Sequence, residues 1–234
     1  VAGALTLRDA ARVLCAQCDA VTHLAESGGV VSIPGGPVEQ VCELIKPWEG
    51  SITIAERNSP SSTTVTGTAS AIDELFARCV REQLPATRIP VAYAAHCALV
   101  DELRESLRET LADVRPRHTD IIFISTVTGG AATDPSVLND DYWFANLRQP
   151  VLFEDAVRWA YRRGHHTFIE CGPQQMLTAD IEESLDDCGD DPPTVIGTLR
   201  RNDGSMRRFL MSVAESHVRG TSPNWANVLN QRPG

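Results

Sequence analysis

Lysine is nearly absent from this chain: Lys46 is the only one among 21 basic residues, so 20 are arginines. Basic residues as a whole are outnumbered by 31 acidic ones, and the formal net charge is −10. A surface of that sign repels phosphate, and with no local basic stripe nucleic acid is excluded as a partner. No apolar run approaches the ~18–20 residues that cross a bilayer, which excludes a membrane-spanning helix. The seven cysteines are odd in number and scattered, so they make no disulfide framework. No basic and then apolar leader opens the chain, and a reducing cytoplasm is the expected location. Metal-ligand patterns are missing too. Cys15-Ala16-Gln17-Cys18 has C-x-x-C spacing but no second pair, and His165-His166 point to opposite faces. No Gly-x-Ser-x-Gly elbow occurs, and the serines fall in turns or on helices, so none is a candidate nucleophile.

What is present is an ordinary globular chain of 234 residues, 42% hydrophobic and 22% charged, long enough to bury a sizeable core. Thr6 followed by Asp9 predicts a helix start, and Leu7, Ala11, Leu14, Cys18 and Val21 then recur at helical steps as a buried stripe, with Gln17 on its shoulder. From Val30 to Val91 the pattern reads strand (30–33), helix (37–46), strand (51–56), strand (63–67), helix (71–84), strand (88–91), the βαββαβ order of a ferredoxin-like unit. Ser70 with Asp73 is the expected cap of its second helix, whose stripe is Ile72, Leu75, Phe76, Cys79 and Val80. A helix over 97–114 carries Val100, Leu103, Leu107, Leu111 and Val114 on one face and stops before Pro116. Ile121-Ile122-Phe123-Ile124 reads as the covered central strand of a parallel sheet. Strands at 167–170 and 194–199 alternate with helices at 153–163, 174–185 and 205–219. The fold class is α/β with an inserted α+β subdomain.

Several strings occur in a characteristic order: Val1-Ala2-Gly3-Ala4-Leu5 with Leu7-Arg8-Asp9-Ala10-Ala11-Arg12; Asn58-Ser59-Pro60; Tyr93-Ala94-Ala95-His96; Ser125-Thr126-Val127-Thr128-Gly129; Tyr142-Trp143-Phe144-Ala145-Asn146-Leu147-Arg148; Gly172-Pro173; and Thr198-Leu199-Arg200-Arg201. Together they resemble the acyltransferase domains of type I modular polyketide synthases, relatives of malonyl-CoA:acyl carrier protein transacylase. The resemblance implies a hydrolase-like parallel-sheet core over 1–28 and 93–234, partial and incomplete at its N-terminus. It also implies an inserted ferredoxin-like subdomain over 29–92. The family's G-H-S-x-G serine elbow would lie upstream of Val1, so the sequence is expected to be the C-terminal part of such a domain.

By the same resemblance the chemistry is acyl transfer from acyl-CoA, through a serine outside this chain, to the phosphopantetheine thiol of an acyl carrier protein. No metal or organic cofactor is bound. His96 matches the family's base, since an imidazole titrates close to the working pH. The backbone carbonyl of Gln149, just before Pro150-Val151, would orient it. Tyr93 and Ala95 would flank the acyl pocket, small Ala95 leaving room for a branched or longer unit, and Asn58 would line the entrance. Read without the family, His96 is an ordinary strand-end histidine, Gln149 a residue before a helix-starting proline, and Asn58 an Asx-type turn cap.

Two positions depart from the pattern. Gln17 stands where extender-unit enzymes carry the arginine that pairs with a malonyl or methylmalonyl carboxylate, and Gly172-Pro173-Gln174-Gln175 replaces Ser-Pro-His-Pro. The extender (methylmalonyl-type) and starter (monocarboxylic) readings both stay open. Expected partners are the carrier protein, other domains of the same synthase and the missing N-terminal part. The arginine pairs at 162–163, 200–201 and 207–208 are the candidate docks for an acidic carrier. The alternative is a catalytically silent docking or structural module. Without the serine the covalent route is closed, so the 234-residue chain incubated with radiolabelled acyl-CoA and then denatured is expected to carry no stable adduct. Label retained on any of its residues would refute this.

Overall fold

The computed structural model describes residues 2–25, 27–91, 93–132, 134–189 and 192–229. Val1 and Ala92, which bound the expected core and subdomain segments, lie outside the described residues. The chain divides into two compact units, Val1–Trp159 and Ala160–Gly234. It is an α/β fold with one mixed sheet and two smaller sheets.

The first unit opens on α1 (Leu7–His23), whose N-cap Thr6 accepts a hydrogen bond from the Asp9 amide at 3.0 Å. The buried face of α1 is Val13, Ala16 and Ala20, closing on Leu24. The expected stripe is thus on the wrong side: Leu7 is 89% and Leu14 63% exposed, Ala11 and Cys18 are exposed, and only Val21 is partly buried. This helix is apolar on two faces, and periodicity finds both without ranking them. The alanine-rich face faces the core, where small side chains let another helix come close.

β1 (Gly28–Pro34), α2 (Val38–Ile45), β2 (Ile52–Ser59), β3 (Ser62–Thr68), α3 (Ala69–Arg81) and β4 (Thr87–Ile89) follow in the expected βαββαβ order. β1 runs antiparallel to β3 and β4, and β2 antiparallel to β3, with Val31 opposite Val65 and Val65 opposite Ile54. Alternate residues of these strands meet the helices in one core containing Val31, Ile33, Val65, Ile72, Leu75 and Cys79. The helix cap expected at Ser70 is absent. α3 begins two residues earlier, at Ala69 behind Thr68, which makes no side-chain cap bond, and Asp73 instead pairs with Arg88. Val80, expected in the stripe, is exposed.

A short 3₁₀ turn (Ala98–Leu103) leads into α4 (Arg104–Leu111), and the expected face is buried throughout: Val100, Leu103, Leu107, Leu111 and Val114. With α1 and the later α5 (Asp140–Arg148) it forms a second core that includes Ala16, Ala20, Phe144 and Leu147. The expectation for 121–124 is overturned. β5 (Phe123–Ser125) forms a two-stranded antiparallel ladder with β6 (Gly130–Ala132), and Ile121 and Ile122 are more than half exposed. An all-apolar run fixes neither the partner nor the direction of a strand, and here the Thr126–Gly129 turn brings the chain straight back on itself. After α5, β7 (Val151–Leu152) adds to the large sheet parallel to β2, giving the order β4-β1-β3-β2-β7. α6 (Phe153–Arg162) follows.

In the second unit β8 (Thr167–Glu170) and β9 (Thr194–Gly197) are parallel and joined through α7 (Thr178–Leu185), a βαβ crossover. α8 (Met206–Val218), capped by Ser205, and α9 (Trp225–Leu229) complete it. Among the described residues, parallel strand pairs are β8–β9 and β2–β7, beside one isolated parallel bridge between Glu49 and Ile52.

Gly67 is the tightest point of the large sheet. A Cβ there would meet the Ser51 carbonyl oxygen at 2.2 Å and the Ile52 Cα at 2.9 Å, both backbone atoms that cannot rotate away. Gly67→Ala is therefore expected to destabilise the chain by ~1–3 kcal/mol, as overpacking does. Urea unfolding of the two proteins checks it, and an unchanged midpoint would refute it.

Candidate functional site

Most of the candidate residues lie where the chain leaves β4 and where α5 ends. His96 takes a left-handed backbone conformation, φ 59°, uncommon for a residue with a Cβ. Its amide donates to the Leu147 carbonyl at 2.9 Å. Its imidazole Nδ1 lies 2.7 Å from the Gln149 carbonyl oxygen. A carbonyl only accepts, so Nδ1 carries the proton, and in the neutral ring Nε2 is left as a lone-pair acceptor. The ring is half-buried.

Local sequence explains both halves of this contact. Gln149 is the C-cap of α5, extended at φ −84° and ψ 156°, because the following Pro150 disfavours helical backbone in the residue before it. The turn from helical to extended swings the Gln149 carbonyl out of the helix. At the other end the segment 93–97 lies hard against the start of β1. Ala94 is fully buried, and a Cβ on Gly28 would come within 2.4 Å of the Ala94 Cβ. Gly28 is the residue that allows this approach.

Tyr93 and Ala95 pack, partly buried, against the core of α1, α4 and α5. Gln17, half-buried on α1, donates from Nε2 to the Trp143 carbonyl at 3.0 Å and to Asn146 Oδ1 at 3.2 Å. Both hydrogens of its amide are thus engaged with α5. Asn58 sits near the end of β2, where its Nδ2 donates to Glu56 Oε2 at 3.2 Å. Glu56 and Arg57 pair in register with Val151 and Leu152, so β2 runs beside the chain just after Gln149. The structure therefore joins His96 to Gln149 directly and Gln17 to the helix that ends at Gln149. Asn58 reaches the region only through the β2–β7 pairing.

Sequence reasoning missed two features. Arg148 and Asp101 form a two-point ion pair, Nε to Oδ1 at 2.7 Å and Nη2 to Oδ2 at 3.3 Å. Nothing in the spacing of residues 101 and 148 signals it. Ser125, fully buried, shares a 2.8 Å hydrogen bond with the Tyr142 hydroxyl and accepts from the Val127 amide. Burial raises the Tyr142 pKa, offset in part by that bond, so the phenol stays protonated. Cys97, next to His96, is buried and its thiol is pushed up by desolvation, which makes it a poor nucleophile.

Among the described residues no group of three or more His, Cys, Asp or Glu side chains is placed to hold a metal, and no helix is long and apolar enough to cross a membrane. The arginine pairs differ in kind. Arg200 and Arg201 are exposed beside a concavity of about 660 Å³ with Gln174, Gln175 and Met176. Arg208 is buried and donates to Ser212 Oγ at 2.8 Å, so only Arg207 of that pair is exposed. The helix expected from Gln174 starts only at Thr178, and the Met176 and Leu177 amides just before it donate to the Glu170 carboxylate.

The fold class is α/β, with a histidine oriented by a backbone carbonyl next to β7, the edge strand of the mixed sheet. The acyl transferase domain family matches residues 1–223, and the chain belongs to that family, in the form found in modular polyketide synthases. It is 43% identical over 232 residues to mycoketide-CoA synthase of Mycobacterium tuberculosis, covering 98% of this chain and 6% of that protein. It is similar to the acyltransferase domain from module 8 of the salinomycin polyketide synthase, with TM-score 0.90 and 41% identity over 96% of this chain and 52% of that one. A loading acyltransferase from the avermectin synthase gives TM-score 0.86 and 35% identity over 94% and 68%. The chain thus spans about half the length of the first of these solved domains and a small fraction of the synthase.

Proposed function

We propose that this chain supplies the base-bearing part of a polyketide synthase acyltransferase. The observation that carries the reading is the 2.7 Å contact between His96 Nδ1 and the Gln149 carbonyl. It leaves Nε2 free to take the proton from a serine hydroxyl carried on a G-H-S-x-G segment outside this sequence. The serine oxygen attacks the thioester carbonyl of acyl-CoA, the C–S bond breaks, and Nε2 returns the proton to the departing thiolate. In the second half the phosphopantetheine thiol of a carrier protein gives its proton to Nε2, takes the acyl group, and the serine oxygen recovers the proton. Gln149 holds the tautomer throughout. The exposed apolar side chains of Leu7 and Leu14 suit a chain that packs with such a segment.

The strand order β4-β1-β3-β2 within 29–92 supports reading that stretch as a ferredoxin-like subdomain inserted in a partial hydrolase-like core. Tyr93 and Ala95 would border the acyl pocket and Asn58 its entrance, while other synthase domains and the carrier protein are the partners.

For the acyl unit, Gln17 favours a starter-type, monocarboxylic group. An extender unit brings a carboxylate into a closed pocket, where it needs a charge partner or several donors. The Gln17 amide carries no charge, and its two N–H groups already serve Trp143 and Asn146. Hydrogen bonds to charged groups are worth ~1.5–3 kcal/mol, so dicarboxylic units are expected to be disfavoured by about tenfold to a few hundredfold.

Two variants test these roles in a domain completed with a serine-bearing segment. His96→Ala is expected to lower transfer by roughly 10²–10⁴, the range for a lost general base. Equal activity would move the base elsewhere. Gln17→Arg is expected to raise methylmalonyl loading relative to acetyl or longer acyl loading in direct competition between the thioesters. A wild type that already prefers methylmalonyl strongly would overturn the starter reading.

A further inference from the structure

We propose that Asp101 and Arg148 are positioning residues for the His96–Gln149 pair, acting as a clamp that keeps the two backbone segments in register. The proposal rests on the base role given to His96 above.

The geometry is specific. Arg148 lies between Leu147, whose carbonyl holds the His96 amide, and Gln149, whose carbonyl holds the His96 ring. Asp101 lies in the 3₁₀ turn Ala98–Leu103 that begins two residues after His96. The pair therefore joins the same two stretches of chain as the two His96 contacts, at a third point. Its two N–H···O contacts fix a relative orientation as well as a distance, which a single contact would not.

Such a clamp has something to oppose. His96 holds its side chain out from a left-handed backbone, a conformation that persists only where its surroundings over-determine it. Pro150 sets the direction of the Gln149 carbonyl, but nothing in Pro150 sets how far α5 slides along the 3₁₀ turn. Arg148 with Asp101 does. The pair is poorly placed to serve global stability, since the Arg148 side chain is 26% and that of Asp101 56% exposed, and exposed pairs stabilise little. Room for adjustment exists on one side. Arg148 borders a cavity of about 360 Å³ together with Cys97, Ala98 and Leu99, so a carboxylate one methylene longer can be met by a shift of the arginine.

The test uses Asp101→Asn, Arg148→Gln and the charge-conserving Asp101→Glu. In the 234-residue chain, ¹⁵N NMR of the neutral His96 ring reads the tautomer directly. Wild type and Asp101→Glu are expected to show one form, protonated on Nδ1, whereas Asp101→Asn and Arg148→Gln show a mixture with the Nε2–H form. All four proteins are expected to melt within a few degrees of each other. In the completed domain the two clamp-breaking variants are expected to lose about tenfold in kcat with KM little changed, as for a reacting group held slightly out of line. The double variant should be no slower than either single one. An unchanged tautomer in both clamp-breaking variants would overturn the proposal. So would a melting temperature that falls in all three variants, Asp101→Glu included, because that marks a purely structural pair. If the completed wild-type domain transfers no acyl group, the proposed function fails, while the NMR comparison still decides whether the pair positions His96.

Discussion

A single hydrogen bond, from the His96 ring to the Gln149 carbonyl, sets demands on four separate parts of the sequence. The carbonyl must leave its helix, which Pro150 ensures by forcing Gln149 out of helical backbone. The histidine must present its ring from a turn, which it does at positive φ with its own amide anchored to Leu147. The segment that carries it must lie flat on the first strand, which Gly28 permits by having no Cβ. And α5 must be docked firmly enough that its last turn is a fixed reference, which Phe144 and Leu147 provide by burial with α1 and α4. Apart from the histidine itself, none of the residues that meet these demands is bonded to the imidazole Nε2. They are what makes the direction of that nitrogen a property of the fold and not of a side-chain rotamer.

The same helix α5 is held from its other side by Gln17. A side-chain amide that donates twice, to a backbone carbonyl and to Asn146, is a fully committed donor. An arginine at this position would bring a charge and five N–H donors on three nitrogens in place of two on one, and could keep the Trp143 carbonyl while still reaching outward. Glutamine thus differs from arginine here in two ways: it carries no charge, and both of its donors are turned to α5.

Much of the fold was legible in the sequence where one pattern had one solution. The stripe from Val100 to Val114 is buried as the spacing requires, and the βαββαβ order over 30–91 is present, its helices each burying one apolar face in a shared core. Patterns with two solutions were misread. α1 has apolar residues on both sides, and the side with alanines won. Ile121-Ile122-Phe123-Ile124 is apolar in every register, so it could not reveal that its partner is the nearby Gly130–Ala132. The Ser70–Asp73 cap lost to an ion pair with Arg88, a residue on another element that no local rule includes. The candidate site was suggested only by family resemblance. A lone histidine and a glutamine 53 residues later carry no periodic signal, and the Asp101–Arg148 pair that spans the same gap carries none either.

The distribution of exposed apolar side chains separates two kinds of stability within the first unit. Residues 28–91 contain every strand and helix needed to close their own core, and Val31, Val65, Ile72 and Leu75 are at or near zero exposure. Only Val80 and Leu84 break that closure. Outside this stretch the picture differs: Leu7, Leu14, Ile121 and Ile122 all face solvent from segments that are otherwise well formed. Burying one such side chain is worth roughly 1.5–3 kcal/mol. That gain is unclaimed here at four positions, on α1 and next to β5. His96 stands at the junction of the two regimes, with its chain arriving from the closed subdomain and its ring held by α5. Residues 28–91 thus close on themselves, while the open faces are the part of the unit whose stability would change on packing with a further segment. A serine brought in by such a segment would meet a histidine whose orientation was already set by the residues in this chain.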